Sequence, residues 1–180
     1  MRIALVGHSQ IPEEFATGNV NDTVEIFKVS GAKAFNFHDT ALTGVLENRY
    51  DIVILWIGSN DIHHSVEAKT IAFKIKELNE EIGKVTGAIV IHLGIEPRTK
   101  PRGISEEKYG ACKRGIDARV RRQVKDPHKF IHLTGRPKDF LSRDGVHFTE
   151  QGKDIIKGYI RIRIEHHRKK HPEWDLRVEQ

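Results

Sequence analysis

Five residues of this 180-residue chain could together perform acyl transfer: Ser9, Gly31, Asn60, Asp144 and His147. A serine hydroxyl is a poor nucleophile until a base takes its proton, and His147 is the candidate base. Asp144 stands three residues before it, in Asp144-Gly145-Val146-His147. A turn at that spacing can set carboxylate and imidazole side by side and orient the ring. Attack on a carbonyl builds negative charge on its oxygen, which requires preorganised N–H donors. The backbone amides of Ser9 and Gly31 and the side-chain amide of Asn60 are the candidates for that oxyanion hole. Each fragment has a plainer explanation as well. Gly58-Ser59-Asn60-Asp61 could be only a turn, and Asp144 with His147 only a helix cap beside a surface histidine. The conjunction is what carries weight.

That conjunction depends on the elements that position it. Apolar, β-branched runs at residues 3–6, 24–29, 51–57 and 88–93 read as strands, with a weaker run at 129–133. Ile71, Ile75, Leu78 and Ile82 fall on one face of a helix beginning near Ser65. Tyr109, Cys112, Ile116, Val120 and Val124 mark a second helix, and Ile155, Tyr159 and Ile162 a third after Thr149. Residues 40–47 suit a shorter helix, and 11–18 a single turn or a loop. Strands alternating with helices predict an α/β fold, its five-stranded parallel sheet covered on both faces. In such sheets chemistry gathers at the carboxyl ends of the strands. Ser9, Gly31, Asn60 and the Asp144–His147 pair all follow predicted strands.

In that order the pieces resemble the SGNH (GDSL-like) hydrolase superfamily, over about 150 residues from the first strand to the last helix. The resemblance implies a flavodoxin-like three-layer α/β/α sandwich. It makes Ser9 the nucleophile, Asp144 and His147 its triad partners, and Ser9, Gly31 and Asn60 the oxyanion hole. It implies a carboxylic ester hydrolase that needs no metal or other cofactor; thioesters and acetylated sugars suit the same triad. One position departs from the family pattern: the usual Asp before the nucleophile is His8. The expected activity is hydrolysis of small, chiefly acetyl, esters, because a chain this short has little to spare for a lid or deep lipid pocket. The alternative is a catalytically degenerate domain that binds nucleic acid or another polyanion.

The alternative draws on charge. Net charge is +5, but residues 98–125 hold ten Lys/Arg against three Asp/Glu, and residues 153–170 seven against two. Such runs steer anionic partners or simply solvate helix faces. The proline-rich basic loop 95–104 leaves the fourth strand, so Arg98 is a candidate for an anionic part of the substrate, and His8 for a substrate contact. His8, His63, His64 and His147 lack the spacing of a zinc site, so no metal is expected. Cys112, on an apolar stripe, reads as a structural thiol. Mean hydropathy is −0.49, no run could span a membrane, and the first residues do not form a secretory leader. With one cysteine, a cytoplasmic protein is expected. Residues 1–170 are expected to form the domain and 171–180 a polar tail.

Overall fold

The computed structural model describes residues 1–133 and 137–177. Five strands, β1 (Arg2–Gly7), β2 (Thr23–Lys28), β3 (Ile52–Trp56), β4 (Ile89–Leu93) and β5 (Phe130–Ile131), form one sheet. All pairings are parallel and the order is β2-β1-β3-β4-β5, the flavodoxin-like arrangement. The apolar runs have a simple cause: alternate residues of each central strand enter opposite cores. Ala4, Val6, Val53 and Leu55 face one core, and Ile3, Leu5, Ile54 and Trp56 the other.

Two long helices, α1 (Ala68–Thr86) and α2 (Glu106–Val124), close the first core with Ile71, Ile75, Leu78, Ile116 and Val120. The second core is covered by α3 (Pro137–Phe140), α4 (Glu150–Lys170) and α5 (Glu173–Leu176). Side-chain caps fix where two of these helices begin. Ser105 accepts the Lys108 N–H at α2, and Thr149 the Gly152 N–H at α4. Among the described residues no helix is long and apolar enough to cross a membrane.

Four details differ from the expectation. The fifth strand has two residues rather than five, because Asp126 caps a 3-10 turn over Pro127–Lys129 that uses up its start. Residues 40–47 form a 3-10 helix (Ala41–Glu47), capped by Thr40. The first helix begins at Ala68, with extended Glu67 as its cap position, rather than near Ser65. The segment taken for a tail is built into the domain through Arg177. Trp174 is buried in the second core, and Arg168 donates to Asp175 at 2.8 Å. Residues 178–180 of that expected tail lie outside the described residues.

Candidate active site

The first strand ends at Gly7 because nothing larger fits: a Cβ there would lie 2.0 Å from the Trp56 carbonyl oxygen. The chain can therefore turn tightly against β3, with the His8 N–H donating to that same carbonyl. The turn continues with Ile11 N–H on the His8 carbonyl (3.1 Å) and Gln10 N–H on His8 Nδ1 (3.2 Å). His8, Gln10 and Ile11 are buried, whereas Ser9 is only half-buried. The hydroxyl-bearing residue is the one the turn leaves accessible.

Asp144 and His147 occupy the loop between α3 and α4. Asp144 Oδ2 lies 2.6 Å from His147 Nδ1. Its Oδ1 accepts the Val146 and His147 N–H groups, each at 2.9 Å, and the Ser142 hydroxyl at 2.8 Å. These bonds, that from Val146 foremost, hold the carboxyl far below the usual carboxylate range. The imidazole thus faces a permanent anion through Nδ1, which leaves Nε2 free to take a proton. Gly145 makes the loop possible. Its φ is +70°, and a Cβ would come within 2.5 Å of Thr99 Oγ1. The segment leaving β4 braces the loop here, with Thr99 and Lys100 N–H groups both donating to the Gly145 carbonyl.

Gln10 joins the two halves. Its Nε2 donates to the Val146 carbonyl (3.0 Å) and its Oε1 accepts the Phe148 N–H (3.1 Å). The residue after Ser9 therefore grips the chain on both sides of His147. Trp56 reinforces this, its ring centroid 5.0 Å from that of His8 and 5.6 Å from that of Phe148.

Asn60 lies in a 3-10 turn (Ser59–Asp61) past β3. Its Nδ2 donates to the Ala32 carbonyl at 3.0 Å, and its Oδ1 accepts from Arg98 Nη2 at 3.0 Å. With both ends held, one amide hydrogen remains uncommitted among the described residues. Asp61 orders the neighbouring loop by accepting the Ala34 (2.7 Å) and Phe35 (3.2 Å) N–H groups. Burial pushes its carboxyl up even so. Gly31, two residues past β2's last neighbour Val29, is exposed with open space above it. The fold thus brings Ser9 and the His147 loop together through Gln10, and Asn60 and the Gly31 loop together through Asp61 and Ala32.

Two expected substrate contacts are placed otherwise. His8 is 1% exposed, its Nε2 3.1 Å from Glu96 Oε2, so it is shut away from substrate. The turn that exposes Ser9 is what turns its neighbour inward. Arg98 spends Nη2 on Ser59 Oγ and Asn60 Oδ1, with the guanidinium over the Tyr109 ring. It is thus tied to protein groups through Nη2, its Nε without a partner among the described residues. The residues that sequence reasoning missed are Gln10 and Glu96. Glu96 is completely buried. Burial opposes its ionisation, but His8, Arg98 and Ser59 prevail and bring it down to about 2. Cys112 is half-buried against the first core, where burial pushes its thiol up. The His63 and His64 rings lean on each other, with His63 Nδ1 3.0 Å from Ser65 Oγ. No three metal-binding side chains gather among the described residues.

Comparison with known proteins gives the same frame. Residues 6–155 match the GDSL-like Lipase/Acylhydrolase family. A lipase/acylhydrolase from Enterococcus faecalis superposes with a TM-score of 0.68 at 16% identity, covering 92% of this chain and 96% of that one. A GDSL-like lipase from Bacteroides thetaiotaomicron gives 0.63 at 18% identity, with 91% and 87% covered. An acetyl xylan esterase gives 0.59 at 13%, with 89% and 98% covered. No curated protein sequence matches the chain.

Proposed function

Since the chain belongs to the GDSL-like lipase/acylhydrolase family of hydrolases, we propose that it is a serine esterase for small esters, acetyl esters first among them. In this scheme His147 Nε2 takes the Ser9 hydroxyl proton as Oγ bonds to the ester carbonyl carbon. The resulting oxyanion is held by the Ser9 and Gly31 N–H groups and the free amide hydrogen of Asn60. Collapse breaks the bond to the alkoxy oxygen, which leaves as the alcohol with the proton carried by His147. Water then attacks the acyl-Ser9 ester, giving a proton to His147. Collapse breaks the acyl–Oγ bond, His147 returns the proton to Ser9 Oγ, and the carboxylic acid leaves. Asp144 stays ionised throughout and holds the ring.

The observation that carries this reading is the Asp144–His147 contact at 2.6 Å, on a loop that Gln10 ties to the Ser9 turn. The acetyl preference is supported by the likeness to an acetyl xylan esterase. Hydrolysis of p-nitrophenyl acetate, butyrate and octanoate by wild type and Ser9→Ala tests both parts. Activity should vanish in the variant and fall with acyl length. Equal rates in the two proteins would defeat the nucleophile assignment, and a preference for octanoate would defeat the acetyl one.

A second reading, binding to nucleic acid, is favoured by one feature. The basic stretches of α2 and α4 cover opposite faces of the sheet but meet across the short β5 edge. Arg121 Nη1 lies 2.6 Å from His132 Nε2 there, and the His128 and His166 rings stack at 3.5 Å. Retention of a fluorescent oligonucleotide that weakens with salt and with Arg119, Arg121 and Arg122 changed to Gln would support it. Indifference to both would remove it.

A further inference from the structure

Glu96 is the least economical residue in the fold. Its carboxylate is 0% exposed, and a buried anion destabilises a protein unless charge and hydrogen bonds surround it. The compensation here comes from neighbouring charge more than from directed hydrogen bonds. His8 Nε2 is 3.1 Å away but off line, and neither Glu96 oxygen has a well-directed hydrogen bond among the described residues. The backbone, by contrast, is firmly fixed. The Glu96 carbonyl accepts the Tyr109 hydroxyl at 2.7 Å, and the preceding Ile95 N–H donates to Asp117 at 2.9 Å.

Two basic side chains lead from Glu96 to different halves of the site. His8 is in contact at 3.1 Å. Arg98, two residues along the same fixed segment, makes no ion pair with it but is held at Ser59 and Asn60. His8 Nδ1 accepts the Gln10 N–H, which leaves Nε2 as the N–H on the side of Glu96. Ser9 is strung between those two residues. Arg98 reaches Ser59 Oγ and Asn60 Oδ1, which sets the direction of the Asn60 N–H. We propose that Glu96 is a positioning residue of the hydrolytic site: a fixed buried anion that registers the nucleophile turn, through His8, against the oxyanion amide, through Arg98. The assignment rests on the reading of Ser9 as nucleophile. It gives His8, which stands where the family usually has Asp, a buried carboxylate partner 88 positions later.

Glu96→Gln keeps the shape and removes the charge. On p-nitrophenyl acetate kcat should fall roughly 10–100-fold, the range for groups that orient active residues, with KM within about twofold. The rate at which a fluorophosphonate labels Ser9 should fall in parallel, while circular dichroism stays native. His8→Asn keeps an acceptor for the Gln10 N–H but no longer reaches Glu96, and should show the same split if Glu96→Gln does not fold. His8→Gln, whose amide reaches the Nε2 position, should recover part of the loss. A wild-type kcat in a folded Glu96→Gln or His8→Asn protein overturns the assignment, as does a loss that matches the unfolded fraction. Activity and labelling that survive Ser9→Ala would instead remove the nucleophile reading beneath it.

Discussion

Gln10 shows what a single side chain does here. Gln10→Ala would strand the Val146 carbonyl and the Phe148 N–H, costing about 1–3 kcal/mol for each buried group left unpaired. A lowered thermal midpoint together with a lower kcat is the expected outcome, since the same grip carries His147. Asn60→Ala should cost about 10²–10³ in kcat with native stability nearly kept, measured on p-nitrophenyl acetate. Asn60, Asp144 and His147 could be nominated from sequence because acyl transfer would narrow the residue types it can use and their order along the strands. Gln10 and Glu96 could not. A buried polar side chain follows no period, and its partners here are backbone groups or charges about 88 to 138 residues away. The place of Arg98 was legible as a loop at the strand ends; that it turns inward to Asn60 depends on Tyr109 and Glu96 beside it.

At the scale of elements, β1, β3 and β4 were readable because both faces of each are covered, which writes nearly unbroken apolar runs into the chain. The half-buried edge strand β2 showed through its β-branched and aromatic residues. The end of β5 was misjudged for the opposite reason. Phe130 and Ile131 are buried but His132 is exposed, so the apolar pattern outlasts the pairing. Helix positions followed from periodicity, while their starts depended on which residue capped them. The junction of β1 with the site turn is the most sensitive spot. Gly7→Ala would drive a methyl into the Trp56 carbonyl and separate β1 from β3. Destabilisation of more than about 2 kcal/mol is expected by urea titration, with the slope unchanged. Trp56→Phe, two ring contacts away, should be milder.

For the whole molecule, acid sensitivity follows from two buried groups with opposite chemistry. Burial lowers the His92 pKa to about 4. Unfolded chains take up that proton near pH 6.5, so below it the unfolded state binds more protons and folding weakens until pH 4. The loss approaches about 3 kcal/mol. Glu96, lowered to about 2, adds stability that is full above roughly pH 4.5 and fades as pH falls through 2. Urea midpoints should therefore drop between pH 6.5 and 4 in wild type but far less in His92→Leu. A second decline below pH 4.5 should be shallower in Glu96→Gln, with Asp144 and Asp22, whose carboxyls are also held low, keeping the remainder.

The first crossover, residues 8–22, carries no helix, and its two ends are anchored differently from its middle. Ile11 is fully buried beside the Ser9 turn, and Asp22 is held by Arg168. Glu13 and Glu14 between them are exposed, with Glu13 Oε1 3.5 Å from Lys28 at the carboxyl end of β2. Lengthening a surface loop costs only about 0.6 kcal/mol per doubling. A graft of several residues between Glu13 and Glu14 would thus sit by the carboxyl end of β2, in the crossover that begins at the Ser9 turn, without disturbing a strand. The chain holds a ready place for new selectivity, in which acyl preference can be rewritten by inserting a loop while the machinery beneath is left as it stands.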